Sequence, residues 1–182
     1  NILSALQAIH EEKIVHRDLK PANVMIDEDS GEAIIIDFGI SKDILAGTQL
    51  TITGAILGSP MYMAPEQFIN SRDVGPGVDI YAFGVVLYQM LAGAPPYEGT
   101  FVEVMNAHRE RSFPDPLKKN SGFPTRFIPV LTRAMAKEPA NRFKTPRAFL
   151  TAIEEAKEYR KKSRPIRYIV LITLFIIAAG LG

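Results

Sequence analysis

Four polar residues stand at fixed spacings near the start of the chain, inside segments that are otherwise apolar. Asp18, Lys20 and Asn23 lie within "IVHRDLKPANVMI", and Asp37 ends the apolar run of "IIIDFG". A carboxylate can accept a proton from an attacking hydroxyl, and a lysine can neutralise charge on a transferring phosphoryl group. Amide and carboxylate oxygens are the ligands that Mg²⁺ prefers. This combination of side chains predicts phosphoryl-transfer chemistry.

Each of these residues also has an ordinary structural interpretation when it is taken alone. Asp18 could be a carboxylate that stabilises a turn, and Asn23 could be the donor of an Asx-turn. The spacing is more specific than the residue types, because Asp37 follows Asp18 by 19 positions with two short β-branched runs between them. The pattern therefore favours a shared site over two unrelated turns.

Composition limits the kinds of protein that this chain can be. Of its 182 residues, 47% are apolar and 23% are charged, which suits one compact domain with an appendage. The chain has no cysteine and only three scattered histidines, so the sequence predicts neither a disulfide framework nor a thiolate or histidine metal site. From Lys157 onward there are six basic residues and one acidic residue, which leaves 15 basic and 19 acidic residues before that point. A mildly acidic body argues against a nucleic-acid partner.

The first part of the chain predicts a helix, a hairpin and a loop. Apolar residues recur at helical spacing from residue 2, so we expect residue 1 to lie inside a helix already under way. The β-branched runs at 24–26 and 33–37 flank the polar turn "DEDSGE" and predict a β-hairpin. Residues 40–60 lack a steady period and predict a long surface loop, a kind of segment that is often functional.

The second part of the chain predicts helices. Residues 78–92 are almost continuously apolar, but Asp79 and Gln89 interrupt them and the run is too short for a membrane span. We therefore expect a helix buried on all sides. Thr145 and Pro146 mark the N-cap and first position of the last helix. The further helices are predicted at about 100–109, 126–136 and 146–158, which gives a mainly α fold, α+β overall.

Several motifs together resemble those of the eukaryotic-type (Hanks-type) protein kinases. "HRDLKPAN" and "DFG" are followed by "GSPMYMAPE", "DIYAFG" and "EPANRF" in the order that this family uses. The resemblance covers residues 1–158, which correspond to the larger, C-terminal lobe of a kinase domain. It implies a protein-kinase-like lobe with a short β-hairpin at the catalytic loop. The smaller N-terminal lobe is expected to be missing from this sequence, so the chain alone should be inactive.

The resemblance implies roles for the polar residues and names the cofactors, ATP and Mg²⁺. Asp18 would be the catalytic base, and Lys20 would act in catalysis and contact the nucleotide phosphate. Asn23 and Asp37 would bind the two Mg²⁺ ions. Met25 would form the apolar floor under the adenine, although a methionine at such a position is more often part of the core.

The resemblance also implies residues for substrate positioning and for structure. Lys20 is typical of kinases that act on serine or threonine, and Ser59 stands where those kinases contact the catalytic aspartate and lysine. Asp79 would bond the backbone amides of the catalytic loop. Glu66 and Arg142 would form a buried ion pair that anchors the segment seating the substrate. The expected activity is therefore that of a protein serine/threonine kinase acting on protein substrates.

Two threonines in the long loop resemble the paired autophosphorylation sites of bacterial transmembrane Ser/Thr kinases. Thr51 and Thr53 precede Ser59 by eight and six residues, and Thr48 is a weaker candidate. Arg17 and Lys42 would form the pocket for the phosphate, because a phosphothreonine carries nearly two negative charges. Phosphorylation in trans would need a homodimer. The alternative is that threonine is simply common in loops.

The C-terminal tail predicts a membrane anchor. Residues 159–167 form a basic juxtamembrane linker, and residues 168–182 are apolar apart from Thr173. This run is shorter than the ~20 residues that cross a bilayer, so we interpret it as a truncated transmembrane helix. Positive charge stays on the cytoplasmic side, which would place the kinase domain of a single-pass signalling protein in the cytoplasm.

Other functions remain open at this stage. A membrane-anchored pseudokinase that acts as a scaffold would keep the same fold without activity, and a free-standing interaction module is a more remote possibility. The retention of Asp18, Asn23 and Asp37 favours an active kinase.

Overall fold

The chain is mostly helical and carries one small antiparallel sheet in the part that the computed structural model describes, residues 1–37, 60–70 and 74–159. The helices there are α1 (Ile2–Glu11), α2 (Gly77–Ala92), α3 (Phe101–Glu110), α4 (Ile128–Ala134) and α5 (residues 146–159), and the strands are β1 (Val24–Ile26) and β2 (Ala33–Ile35). Short 3-10 turns lie between them. The prediction of a mainly α fold with one hairpin is confirmed.

Helix α2 is the centre of the core, as its continuous apolar sequence predicts. Twelve of its residues are buried, and Tyr81 and Tyr88 have no exposed surface. Gly84 lets α4 come close, because a Cβ at this position would lie 3.0 Å from the Cβ of Ala134. The helix ends at Gly93, whose φ of +82° gives the left-handed C-cap that glycine adopts without steric cost.

Helix α1 buries one face against the core through Leu3 and Leu6. It begins at Ile2, because the side chain of Asn1 accepts the N–H of Leu3 at 3.1 Å and forms an N-cap. The expectation that residue 1 lies inside a helix already under way concerns residues before Asn1 and stays a prediction.

The hairpin is held at its turn by Asp27. Its Oδ1 accepts the backbone N–H of Ser30 at 2.7 Å and the hydroxyl of Ser30 at 2.8 Å, and these bonds lower the pKa of Asp27. Strand β2 stops at Ile35, two residues before the end of the predicted run, because Asp37 adopts a φ of +53° that no strand accommodates. The facing pairs are Val24 with Ile35, Met25 with Ile34 and Ile26 with Ala33.

The later helices lie close to their predicted positions. The hydroxyl of Thr145 accepts the N–H of Ala148 at 3.1 Å, so the predicted N-cap of α5 is confirmed. Helix α4 is shorter than predicted, since Thr125–Phe127 forms a 3-10 turn before it. The buried stripe of α5 follows helical spacing and consists of Phe149, Ile153 and Ala156.

Some predictions fall on residues outside the described ones. Nearly all of the predicted loop at 40–60 and the whole predicted transmembrane segment at 168–182 belong to this group. Among the helices that are described, none combines the length and the apolar character needed to span a bilayer.

Candidate active site

One buried carboxylate on α2 holds the chain at residues 16–18, which we call the 16–18 turn. Asp79 has no exposed surface. Its Oδ1 accepts the N–H of Arg17 at 2.8 Å, and its Oδ2 accepts the N–H of His16 at 2.9 Å. The same Oδ2 lies 2.8 Å from Nε2 of His10 on α1. Because a buried carboxylate without partners is costly, these three donors make the burial of Asp79 possible. Asp79 thus fixes the turn to α1 and α2.

The backbone of the 16–18 turn is unusual at Arg17, which has a φ of +66°. This left-handed conformation costs a residue with a Cβ about 1–2 kcal/mol, so surrounding contacts must hold it. The buried ring of His16 supplies two of these contacts. Its Nε2 donates to the carbonyl of Ile36 at 3.1 Å, and its Nδ1 accepts the N–H of Asp18 at 3.3 Å. The backbone that leads into Asp18 is therefore held by hydrogen bonds to Asp79 and to the ring of His16, and these bonds set the direction of the Asp18 side chain.

The carboxylate of Asp18 is the meeting point of the predicted catalytic residues. Its Oδ2 accepts from Nζ of Lys20 at 2.9 Å and from Nδ2 of Asn23 at 3.2 Å. Nδ2 of Asn23 also donates to the carbonyl of Asp18 at 2.7 Å. Asp18 and Asn23 are 9% and 5% exposed, and Pro21–Asn23 forms the 3-10 turn that brings the amide back to the carboxylate. The structure thus brings Asp18, Lys20 and Asn23 together.

Asp37 is brought towards Asp18, Lys20 and Asn23 by a backbone hydrogen bond of the preceding residue. The N–H of Ile36 donates to the carbonyl of Asn23 at 3.0 Å, which extends the hairpin pairing by one step beyond β1 and β2. Asp37 follows directly, with its left-handed φ and an exposed side chain. The hairpin therefore delivers Asp37 to the same end of the sheet as Asn23.

The donor set at this end of the hairpin fits a magnesium–nucleotide complex. Because both contacts of Asn23 to Asp18 are made by Nδ2, its Oδ1 is the atom that remains for a cation. Mg²⁺ takes one or two protein oxygens together with phosphate and water oxygens, and Asn23 and Asp37 can supply two. The described residues contain no group of three or more histidine, aspartate or glutamate side chains that would hold a metal by themselves. The residues present suit a metal that arrives with phosphates.

Met25 lies on the outer face of the hairpin beside Asn23. It is 56% exposed, next to Ile26 at 60% and opposite Ile34 at 49%. The interpretation of Met25 as a core residue is therefore wrong for the described part of the chain. Its predicted contact with an adenine stays a prediction, and an exposed apolar side chain is compatible with it.

The segment that ends in Pro65–Phe68 is tied to the helical body by an ion pair. Nη1 of Arg142 donates to Oε1 of Glu66 at 2.6 Å, and Nη2 donates to Oε2 at 2.8 Å. Arg142 is 1% exposed and also donates to three backbone carbonyls, those of Ala136, Gly77 and Lys137. All N–H groups of the guanidinium are therefore hydrogen-bonded, which offsets the cost of burying its charge.

Two residues that contact the 16–18 turn or its anchor Asp79 were not predicted from the spacing of the motifs. His10 falls on the buried face of α1 together with Leu3 and Leu6, and this polar residue on an apolar face was the available clue. Gln67 directly follows Glu66 and is 6% exposed. Its side-chain amide donates to the carbonyl of Arg17 at 2.8 Å. A lone glutamine in a sequence gives no indication of such a contact.

A second buried polar cluster lies behind Arg142. The hydroxyl of Tyr81 lies 2.8 Å from Nδ1 of His108, and Nζ of Lys137 donates to the hydroxyl of Tyr97 at 3.2 Å. Burial and the charge of Lys137 lower the pKa of His108 to about 4. Burial lowers the pKa of Lys137 to about 8 and raises that of Tyr97 to about 12. We regard this cluster as structural.

Four predicted site residues lie outside the described part of the chain: Lys42, Thr51, Thr53 and Ser59. Arg17, the other member of the predicted phosphate pocket, is partly exposed within the 16–18 turn. The pocket and the phosphorylation sites therefore stay predictions.

Comparison with known proteins assigns the chain to a family. The model of the protein kinase domain family matches residues 1–154. The serine/threonine-protein kinase PknE of Mycobacterium tuberculosis is 41% identical over 142 residues, which cover 78% of this chain and 25% of that protein. Pkn1 of Myxococcus xanthus is 38% identical over 174 residues (90% and 25%), and PknH of M. tuberculosis is 39% identical over 159 residues (85% and 24%). This chain spans about a quarter of the length of these relatives. The family resemblance inferred from the motifs is thus confirmed, and the chain belongs to the protein kinase domain family.

Proposed function

We propose that the chain is the larger lobe of a membrane-anchored protein kinase that transfers the γ-phosphoryl group of ATP to serine or threonine side chains of proteins. The observation that carries this proposal is the convergence of Lys20 and Asn23 on one carboxylate oxygen of Asp18. The printed names of the relatives, all serine/threonine-protein kinases, support the same activity.

Asp18 is the base in this proposal. Its carboxylate orients the substrate hydroxyl and accepts the proton as the oxygen attacks phosphorus. The contacts from Lys20 and Asn23 keep the carboxylate in one orientation, so that the proton acceptor is positioned before the substrate arrives. Lys20 stands next to Asp18 as a cation that can offset charge on the transferring group.

Asn23 and Asp37 hold Mg²⁺ together with the nucleotide phosphates, and the metal when bound neutralises phosphate charge. Met25 supports the adenine from the exposed face of β1. The proposed preference for serine and threonine rests on Lys20 and on Ser59, which would contact Asp18 and Lys20.

Regulation is proposed to run through the loop that contains Thr51 and Thr53. Their phosphates would pair with Arg17 and Lys42 and so order the loop. Autophosphorylation in trans would require a second copy of the protein. The basic stretch at 159–167 and the apolar stretch at 168–182 support a single transmembrane helix with the kinase on the cytoplasmic side.

The test is a phosphate-transfer assay on the full-length protein that contains this chain. With ATP, Mg²⁺ and a general protein substrate, we expect label on serine and threonine and none on tyrosine, and no transfer when Mg²⁺ is chelated. A full-length protein that binds its partners but transfers no phosphate would instead favour the pseudokinase scaffold. Label on tyrosine would contradict the proposed specificity.

A further inference from the structure

The side chain of Gln67 bridges two segments that are 50 residues apart in sequence. Its Nε2 donates to the carbonyl of Arg17 at 2.8 Å, and its Oε1 accepts the N–H of Ala64 at 2.9 Å. The orientation of the amide is fixed by its partners, because a backbone N–H can only donate and a carbonyl can only accept. The side chain is only 6% exposed, so both hydrogen bonds are shielded from bulk water. The loss of either bond would therefore be costly.

The carbonyl that Gln67 contacts belongs to the peptide directly before Asp18. Arg17 is held in its left-handed conformation by Asp79, which accepts the N–H on one side of the residue. Gln67 holds the C=O on the other side. Rotation of this peptide would turn the Cα–Cβ bond of Asp18 and move its carboxylate away from Lys20. Gln67 is therefore placed to control where the proposed base points.

The other end of the bridge belongs to the segment that would seat the substrate. Glu66 and Gln67 are neighbours but face different anchors: Glu66 pairs with Arg142 in the helical body, and Gln67 contacts the 16–18 turn. Docking of Pro65–Phe68 onto the body thus also closes the contact to Arg17. Both contacts are made by adjacent residues of one 3-10 turn, Pro65–Phe68.

We propose that Gln67 is a positioning residue that couples the docking of the Pro65–Phe68 segment to the orientation of Asp18. This inference rests on the proposed function, because it assigns Gln67 to the same phosphate transfer. It implies that loss of the Nε2 donor lowers kcat while the KM for ATP stays nearly unchanged.

The most informative variant is Gln67→Glu in the full-length protein. It keeps the size of the side chain and the acceptor for the N–H of Ala64, but an ionised carboxylate repels the carbonyl of Arg17. A protonated carboxyl has an O–H that can donate to this carbonyl again. We expect kcat of the variant to be about 10–100-fold below that of the unmodified protein at pH 8. The deficit should shrink as the pH falls towards 6, with the KM for ATP changed less than about threefold.

Two further variants separate positioning from general damage to the fold. Gln67→Leu has no donor at any pH, so its kcat should stay low at pH 6 and at pH 8. Gln89→Glu makes the same chemical change on α2, where Oε1 of Gln89 accepts the hydroxyl of Tyr62 at 2.6 Å. A carboxylate can still accept this bond, so we expect kcat close to that of the unmodified protein at both pH values. Thermal unfolding of each variant reports its folding separately.

The outcomes distinguish this inference from the proposed function. If the unmodified protein transfers no phosphate, the proposed function fails. If it is active and Gln67→Glu shows the same kcat and pH profile, the positioning role is overturned while the function stands. A loss of kcat in Gln67→Glu and Gln67→Leu that is accompanied by a clearly lower unfolding temperature in both variants would also overturn it, because it would indicate damage to the fold and not a changed orientation of Asp18.

Discussion

Arg142 and Glu66 form a bidentate ion pair in which only the arginine is fully buried. The two N–O distances are 2.6 and 2.8 Å, the Arg142 side chain has no exposed surface and that of Glu66 is 25% exposed. Because of this difference in burial, removing the two side chains should cost different amounts of stability. If the arginine is removed, three carbonyls lose a donor, whereas removal of the glutamate leaves the arginine bonded to those carbonyls.

We therefore expect Arg142→Ala to destabilise the domain more than Glu66→Ala. Removing one partner of a buried pair costs about 3–5 kcal/mol. We expect Glu66→Ala near the lower end of this range, because the charge of Arg142 stays buried without its partner, and Arg142→Ala near the upper end. The measurement is denaturant unfolding of the kinase domain. Lys119→Ala is the matched control, because Lys119 pairs with the exposed Glu98 at 2.6 Å and such surface pairs contribute less than about 1 kcal/mol. A larger loss for Glu66→Ala would contradict the explanation.

Asp79→Ala tests the anchoring of the 16–18 turn. The change leaves the buried amide of His16 and the partly buried amide of Arg17 without their acceptor, and an unsatisfied buried donor costs about 1–3 kcal/mol. We expect a lower unfolding midpoint together with a loss of phosphate transfer, because the strained backbone before Asp18 loses its support. Faster amide hydrogen exchange at Arg17 would locate the effect. Exchange at the unmodified rate would show that other contacts hold the turn.

Acid stability should depend on His108. Burial lowers the pKa of this residue from its usual 6.5 to about 4, so between these values the unfolded chain binds a proton that the native state does not. Stability then falls as the pH drops from 6.5 towards 4, by up to about 3 kcal/mol from this group. His108→Gln should flatten the curve in that window. Curves that stay parallel for the two proteins would rule out this contribution.

The sequence predicted the parts of the fold that follow from local pattern. Helical spacing predicted α1, a continuous apolar run predicted α2, and Thr145 predicted the N-cap of α5. The β-branched runs that flank the polar turn "DEDSGE" predicted a hairpin that the structure contains. The spacing of Asp18, Lys20 and Asn23 predicted a group that the structure brings together. What the sequence did not indicate are contacts between distant single residues, such as Gln67 with Arg17 and His10 with Asp79. Such contacts depend on tertiary packing, which leaves no periodic pattern in the sequence.

Phosphorylation of the loop before Ser59 is tested by replacing Thr51 and Thr53 together with alanine. Without these hydroxyls no phosphate can pair with Arg17 and Lys42, so we expect several-fold lower activity of the full-length kinase. Mass spectrometry of the active protein should find phosphate on one or both residues. Thr132→Ala, an exposed change on α4, is the control and should leave the rate unaltered. An unchanged rate for the double variant would contradict this mode of activation.

The central claim, that Asp18 is the base of a phosphoryl-transfer site, is tested most directly by the single-turnover rate of Asp18→Asn in the full-length protein. The variant keeps the size of the side chain but cannot accept the proton, so the rate should fall about a hundredfold or more. Asp29→Asn, the same change at an exposed residue of the hairpin turn, should leave the rate unchanged. A rate for Asp18→Asn within about twofold of the unmodified protein would contradict the claim.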